Sequence, residues 1–100
     1  MEKQMFTVYD NVSKSYSAPF VEVNNGTAMR GLMDMMQQQP QHPFAKFPDN
    51  YQLVNIGTWD DVDGIMTFDK HTIVDELVAI KTPIDRDWET SSQVPILTNR

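Results

Sequence analysis

The strongest constraint on how this chain folds is a hydrophobic period that changes twice. β-Prone residues precede Asn24, apolar residues recur at helical spacing from Ala28 to Met36, and β-prone residues return at Tyr51. Residues 24–27, where the first change occurs, supply N-cap side chains and a glycine for a tight exit from a strand. The sequence therefore predicts an α+β fold in the order strand, strand, helix, strand, strand, with the helix packed on an antiparallel sheet.

The first hairpin is predicted from two β-prone segments, residues 5–9 and 16–23, separated by the turn-forming residues 10–15. Pro19 lies inside the second segment and has no N–H to donate to a sheet ladder. We therefore expect this second strand to lie at an edge of the sheet or to carry a bulge at Pro19.

The helix is predicted over residues 27–37, because Pro40 prevents its continuation. Its main apolar face is spaced at i, i+4, i+7 and i+8 and consists of Ala28, Leu32, Met35 and Met36. Residues 40–50 contain three prolines and are predicted to form a long loop. We expect Phe44 and Phe47 to pin this loop to the domain.

The second hairpin is predicted from residues 51–59 and 65–68, joined by an acidic turn that ends in Asp63-Gly64. Residues 77–80 are apolar and fit either a fifth strand or a short helix that begins near Thr72. Residues 1–82 are expected to form one α+β domain. Residues 83–100 are polar and are expected to be an extended C-terminal tail that is flexible or ordered by a partner.

Composition and charge exclude several classes of protein. No run approaches the ~18 apolar residues that a membrane helix needs, so no membrane association is expected. The absence of cysteine excludes disulfides and thiolate metal sites. Charge is uneven, since residues 1–46 carry four basic and four acidic side chains, whereas residues 47–100 carry four basic and ten acidic. Any nucleic-acid contact is therefore expected in the first half.

Nothing in the sequence predicts catalysis, a metal site or a cofactor. The acidic segment 60–64 resembles a calcium loop, but Trp59 and Lys70 fall where that loop needs carboxylates, so a hairpin turn is the better interpretation. His42 and His71 have no second ligand at helical spacing and are interpreted as solvated histidines. The chain also has no nucleophile elbow and no glycine-rich phosphate loop, so we do not expect an enzyme.

Methionine is concentrated in the helix, which has four methionines between residues 29 and 36. Methionine fills irregular gaps in a core, and it also forms adaptable binding surfaces. The helix is apolar on more than one face, so one face can pack on the sheet while another meets a second copy of the chain. We therefore predict a homo-oligomer with an interface that includes Met29, Met33 and Met36.

Aromatic residues and two cations lie together in the first third of the sequence. Single-strand binders stack bases on aromatic rings and hold phosphates with a few cations. Packing in the core and across strands is the alternative interpretation of the same rings. If single-stranded DNA is bound, the expected stacking residues are Tyr9, Tyr16 and Phe20, and the expected phosphate contacts are Lys14 and Arg30. Arg30 can equally pair with Asp34, four residues along the helix.

The chain also carries a spaced set of residues from its first strand to its second hairpin: Val8-Tyr9-Asp10, Tyr16-x-x-Pro19-Phe20, Asn24-x-Gly26-x-Ala28-x-Arg30, Asp34, Pro48-Asp49-x-Tyr51-x-Leu53, Ile56-Gly57, Asp60 and Asp63-Gly64. This succession, over roughly residues 5–68, resembles the small non-structural protein of gokushovirus-type microviruses, which are single-stranded DNA phages. The resemblance implies a viral accessory protein of the host bacterial cytoplasm. Proteins of that family are regarded as DNA-binding, or as acting when viral DNA synthesis turns to packaging.

Two interpretations of function stay open at this point. The first is an accessory protein that binds single-stranded DNA weakly and takes part in viral DNA replication or in the switch to packaging. The second is a homo-oligomeric interaction module that contacts viral replication or capsid proteins, or host proteins, and does not bind nucleic acid.

Overall fold

A computed structural model describes residues 1–81 of the chain, and it confirms the α+β fold with one main helix packed on an antiparallel sheet. The elements, in chain order, are β1 (Glu2–Asp10), β2 (Ser15–Tyr16), β3 (Phe20–Glu22), α1 (Asn25–Gln38), α2 (Pro43–Lys46), a 3₁₀ turn (Pro48–Asn50), β4 (Tyr51–Asp60) and β5 (Ile65–Glu76). The expectation for residues 83–100 lies outside the described residues.

The N-terminal strand β1 lies in the middle of the sheet. β4 pairs with one edge of β1 along its whole length, from Glu2 opposite Asp60 to Asp10 opposite Tyr51. β2 and β3 share the other edge of β1, and β5 pairs with the far edge of β4. All of these pairs are antiparallel, so the sheet ends in β2 and β3 on one side and in β5 on the other.

The core forms as two clusters because side chains of a strand alternate between the two faces of a sheet. On the face that α1 covers, which we call the helix face, Phe6 is fully buried and packs in a cluster with Val8, Ala28, Leu32, Met36, Ala45, Leu53, Leu77 and Ile80. On the opposite face, which we call the open face, Met5, Val54 and Ile56 form a smaller buried cluster.

The helix begins where the sequence predicts, at a reciprocal capping box. The Asn24 side chain accepts the backbone N–H of Thr27 at 2.9 Å, and the Thr27 hydroxyl accepts the N–H of Asn24 at 3.1 Å. At the other end the N–H of Gln39 donates to the carbonyl of Met35 at 2.8 Å, one residue before Pro40. Between these two ends, α1 packs one apolar stripe, formed by Ala28, Leu32 and Met36, against the sheet.

The predicted second strand is interrupted before Phe20, as expected because Pro19 has no N–H to donate. Its two parts, β2 and β3, both lie at the sheet edge. Ser17 fills the break. Its hydroxyl accepts the N–H of Val8 at 3.0 Å, and its carbonyl accepts the hydroxyl of the buried Thr7 at 2.7 Å. These bonds satisfy polar groups that a regular ladder would otherwise have paired.

Residues 40–50, expected to form a long loop, contain two short helical elements. The segment forms α2, with Pro43 at its first turn and the His42 Nδ1 accepting the N–H of Phe44 at 3.1 Å, and then the 3₁₀ turn. Phe44 does pin the segment, since its ring lies 4.7 Å from that of Tyr51 and packs on the helix-face cluster. Phe47 does not, because it is 50% exposed.

The last strand is longer than predicted, and the apolar segment that follows it is helical. β5 continues past Phe68 to Glu76 because it remains paired with β4 as far as Gln52. Residues 77–81 are helical, and they place Leu77 and Ile80 in the helix-face cluster. Of the two alternatives for this segment the short helix is right, although it begins at residue 77 and not near Thr72.

The centre of the sheet contains one close approach that only glycine permits. Both ladders of β4 change register next to Gly57, which has φ of +153°. A Cβ atom at this position would overlap the carbonyl oxygen of Thr67 on β5. Gly31, in the exposed part of α1, is different, because a Cβ there would meet nothing closer than the Glu22 carboxylate at 3.9 Å.

We predict that Gly57→Ala lowers the free energy of unfolding by at least about 2 kcal/mol, because the new methyl group strains both the backbone and the β4–β5 ladder. The matched control is Gly31→Ala, which we expect to stabilise the protein by up to about 1 kcal/mol through better helix propensity. Urea unfolding followed by circular dichroism measures both. Equal stabilities of the two variants would contradict the ladder geometry described above.

Candidate nucleic-acid interface

The open face carries a row of aromatic side chains over its small buried cluster. Tyr9 on β1 and Trp59 on β4 are half-buried and pack against Met5, Val54 and Ile56. Tyr16 on β2 is directly opposite Tyr9 in the ladder, and their ring centroids are 4.7 Å apart. The face is therefore an aromatic surface supported from below by aliphatic side chains.

A bulge in β5 completes this surface. Thr72 pairs with Asn55 and Phe68 pairs with Gly57, so three residues of β5, 69–71, stand opposite the single residue Ile56. We call these three residues the β5 excursion. It brings His71 to the far side of the open face, where the imidazole meets the Tyr16 ring edge-on with centroids 5.4 Å apart. If β5 were regular, the full widths of β1 and β4 would separate His71 from Tyr16.

A hollow of about 200 Å³ lies between these rings on the open face. Tyr16, Phe68 and His71 form its aromatic part, and Thr7, Ser17, Pro19 and Ile56 line the rest. Tyr16 is 52% exposed and Phe68 is 70% exposed, so both ring surfaces are available to a ligand. The hollow can take a flat aromatic group such as a nucleobase by stacking, which requires no particular base.

The two hairpin turns are built in the same way. In the turn after β1 the Asp10 carboxylate accepts the N–H groups of Val12 (2.8 Å) and Ser13 (3.2 Å). In the turn after β4 the Asp60 carboxylate accepts those of Val62 (2.9 Å) and Asp63 (3.2 Å). These bonds stabilise the ionised forms, led by the bond from Val12 for Asp10 and that from Val62 for Asp60, and they lower both pKa values.

The residue that closes each turn has a positive φ. Gly64 has φ of +71° and closes the turn after β4, and Lys14 has φ of +60° and closes the turn after β1. Glycine adopts this conformation freely, whereas lysine adopts it at a cost. The exposed Lys14 side chain lies at the end of the hairpin that carries Tyr9 and Tyr16.

Charge differs between the two ends of the sheet. The turn after β4 contains the acidic cluster of residues 60–63 and lies beside the N-terminus, since Glu2 pairs with Asp60. The terminal ammonium group hydrogen-bonds to Asp61 and lowers its pKa, and the Lys3 ammonium lies 3.5 Å from the same carboxylate. Lys14 lies at the opposite end of β1, roughly 30 Å away for a nine-residue strand.

The structure brings together three of the five predicted DNA-binding residues. Tyr9, Tyr16 and Lys14 belong to one hairpin and one end of the open face. Phe20 lies on the helix face, where its ring stacks on Phe6 with centroids 5.8 Å apart. Arg30 lies on α1, which covers the helix face. The expected single site is therefore corrected, because strand alternation and the position of α1 separate Phe20 and Arg30 from the tyrosines.

Arg30 is exposed and lines a separate concavity with Met29, Met33 and Asp75. Although Asp34 lies four residues along the helix, the two side chains form no ion pair in the described part of the chain. The alternative in which Arg30 pairs with Asp34 is therefore not formed, and Arg30 lies between α1 and residues 75–80.

The predicted methionine interface is also divided. Met36 is 2% exposed and belongs to the helix-face core, because it follows Ala28 and Leu32 on the stripe that meets the sheet. It is corrected from an interface residue to a core residue. Met29 and Met33 are only half-buried and line the concavity beside Arg30, so they remain available for a contact.

Sequence reasoning missed the contributions of Trp59, Phe68 and His71 to the open face. Alternation along β4 and β5 was a usable signal for Trp59 and Phe68, since Trp59 pairs with Lys3 on the same face as Met5. His71 had no such signal, because its position depends on the β5 excursion. Of the two histidines interpreted as solvated, His71 is exposed although its ring meets Tyr16, whereas His42 is half-buried and caps α2.

Within residues 1–81 no group of three metal-ligating side chains could hold an ion. No helix in this part of the chain is long and apolar enough to cross a membrane.

Comparison with known proteins gives one match. The family model described as Phage ORF5 protein matches residues 3–80, which include α1 and, apart from Glu2, all the strands of the sheet. No curated protein and no solved structure matches the chain. The match confirms the resemblance to a small phage protein that the spacing of residues indicates.

We predict that acid destabilises the protein partly through the two turn carboxylates. Because the folded-state pKa values of Asp10 and Asp60 lie below their usual value, the ionised groups stabilise the fold above that value, and the contribution is lost as pH falls through the folded-state pKa. Asp60→Asn keeps an acceptor oxygen for the turn, so it should flatten the loss of stability below about pH 4. Thermal unfolding measured across this pH range tests the effect.

The control is Asp63→Asn, which removes a carboxylate from the same turn and leaves the two hydrogen bonds to Asp60 in place. An equal flattening in both variants would show that general charge reduction, and not the turn hydrogen bonds, sets the acid sensitivity.

Proposed function

The chain belongs to the Phage ORF5 protein family, and on this premise we propose that it binds single-stranded DNA weakly and without base specificity on the open face of its sheet. The observation that carries the proposal is the set of Tyr9, Tyr16 and His71 rings, packed side by side on the face that α1 leaves uncovered. Stacking on such rings is independent of base identity. The protein would act in the host bacterial cytoplasm, in viral DNA replication or in the switch to packaging.

The charge distribution supports one position for the nucleic acid on the open face. Lys14 lies at the tyrosine end of the face, and Lys70 lies in the β5 excursion beside His71, where both can meet phosphates. The acidic turn after β4 lies at the other end and repels a polyanion. We infer that the nucleic acid crosses the tyrosine end of the sheet and avoids the acidic turn.

Affinity is expected to be low for a single chain. The formal net charge is −6, and few cations lie near the hollow, so few counterions are released on binding. Stacking must then supply most of the binding free energy, at about 1–3 kcal/mol for each base. A protein of this kind gains useful affinity when several copies bind one strand.

The open site also favours a nucleobase over a small-molecule substrate. The polar groups at the base of the hollow are already paired, because the Thr7 hydroxyl donates to Ser17 and the Ser17 hydroxyl accepts from Val8. Such a site offers flat apolar contact and no converging set of free donors. A stacking ligand held at its phosphates fits these properties.

An interaction module without nucleic-acid binding is the second candidate, and a different surface favours it. A groove of about 420 Å³ separates α1 from the β3 edge. Its lining is mainly apolar and includes Phe20, Leu32, Met35 and Phe44. An apolar groove beside a helix is typical of sites that accept a segment of another protein.

We predict that Tyr16→Ala weakens the binding of a fluorescein-labelled thymidine oligonucleotide about tenfold, which is the loss expected for one stacked base. The matched control is Phe47→Ala, since Phe47 is equally exposed but lies near α2, away from the open face. Fluorescence anisotropy at low salt measures both. If both variants bind as the unmodified protein does, the open face is not the site.

We further predict that Lys14→Ala reduces the slope of log affinity against log salt by about one, the change expected for one lost phosphate contact. Arg30→Ala should leave the slope unchanged, because Arg30 lies on α1, on the side of the sheet opposite the open face. The reverse result would move the site to α1. No binding at low salt by the folded protein would leave the interaction module as the function.

A further inference from the structure

The outer edge of β5 is a long strand edge with unusual exposure. Within residues 1–81 this twelve-residue strand pairs only with β4, so its other edge presents unpaired backbone groups. Every residue from Ile65 to Ile73 is exposed, including four large apolar residues that are 56–70% exposed: Ile65, Met66, Phe68 and Ile73. Proteins normally blunt such edges with charge, proline or a cover, because another strand can add to them.

The pairing with β4 determines which face each residue of β5 occupies. Met66 pairs with Trp59 and Ile73 pairs with Val54, and both of those partners pack in the open-face cluster. Met66 and Ile73 therefore belong to the open face. Thr67 and Thr72, each adjacent to one of them, belong to the helix face by alternation.

We propose that two copies of this chain pair antiparallel through the outer edges of β5, about a two-fold axis between Asp69 and Lys70. In this register Met66 lies opposite the partner's Ile73, and Thr67 lies opposite the partner's Thr72. Each pair joins residues of the same face and similar polarity, which is the requirement for a continuous ladder. The two sheets then form one sheet with both open faces on the same side.

Charge complementarity selects this register and this partner. At the axis Asp69 of each copy meets Lys70 of the other, which gives two opposite-charge contacts by symmetry. The β5 excursion lies at the same point, so these side chains meet where the ladder is interrupted, and the ladder is formed by the residues on either side. Because Asp69 and Lys70 are neighbours in one strand, each copy supplies the opposite charge that the other copy needs, so the edge fits a second copy of this chain.

Neighbouring registers lack this complementarity. A shift of one residue places Asp69 opposite the partner's Asp69, or Lys70 opposite the partner's Lys70, so that like charges meet on the axis. A shift of two residues places Phe68 opposite the partner's Asp69, or Met66 opposite the partner's Asp75. The register is therefore specified by the order of residues along one strand.

This inference does not depend on DNA binding, although the two are compatible. A dimer with both open faces on one side offers two stacking surfaces to the same strand and raises its apparent affinity by linkage. Failure of one proposal leaves the other testable, because Tyr16→Ala on β2 probes DNA binding at the edge of the sheet opposite β5.

The test is a charge exchange on the full chain, followed by sedimentation equilibrium. Asp69→Lys places four lysines at the axis, two from each copy, and Lys70→Asp places four aspartates there, so each variant alone should dissociate about tenfold more readily than the unmodified dimer. An equal mixture of the two variants should recover the dimer, since each lysine then meets an aspartate. Asp63→Lys and Lys14→Asp are the matched controls in the two turns, and they should leave the dimer unchanged.

The register has its own test, because the chain contains no cysteine. Under mild oxidation a mixture of Thr67→Cys and Thr72→Cys should form a disulfide-linked pair, since the two positions are opposite each other across the axis. A dimer that forms from Thr67→Cys alone would overturn the register. A mass of one chain for the unmodified protein at micromolar concentration, or dimers of unchanged strength in both charge variants, would overturn the proposal.

Discussion

The ladder between β1 and β4 is the interaction on which the rest of the structure depends. It runs the whole length of β1, and it gives both faces of the sheet their buried residues, because Phe6 and Val8 point to one side and Met5 to the other. Without it α1 has no surface to pack on, and the tyrosine hairpin has no support. The partners are about fifty positions apart in sequence, so this ladder also carries the main entropic cost of closing the chain.

The irregular parts of the sheet determine the shape of its open face. A regular β5 would leave His71 far from the tyrosines, and a regular β4 would not need Gly57. The three-for-one bulge opposite Ile56 bends β5 over the open face and closes one side of the aromatic hollow. Bulges are known to redirect side chains near binding sites, and here one turns a flat sheet into a concave surface.

The surfaces of the protein are divided by chemistry. The tyrosine end of the open face is aromatic with nearby lysines, and the turn after β4 is acidic. The outer edge of β5 combines exposed apolar side chains with an adjacent opposite-charge pair, Asp69 and Lys70. An acidic protein can have a local site for a polyanion when its negative charges lie at a distance of several Debye lengths. The separation of the two turns by the length of β1 provides that distance for the acidic turn after β4, whereas Asp10 and Asp69 lie near Lys14 and Lys70.

The sequence alone determined the order of the elements, the capped start of α1, the interruption at Pro19 and the two aspartate-initiated turns. Each of these depends on residues close together along the chain, such as Asn24 with Thr27 or Asp60 with Val62, so local pattern was sufficient. The spacing of these residues also indicated the phage family that the family match confirms.

Only the tertiary structure decided which predicted site residues lie together. Tyr9 and Tyr16 share the open face with His71, whereas Phe20 and Arg30 belong to the helix side and Met36 to the core. Strand alternation depends on register, and Gly57 marks where the registers of β4 change but not how many residues of β5 the change leaves unpaired. The three-residue excursion opposite Ile56 therefore decides that His71 meets Tyr16, and no pattern along the chain specifies that contact.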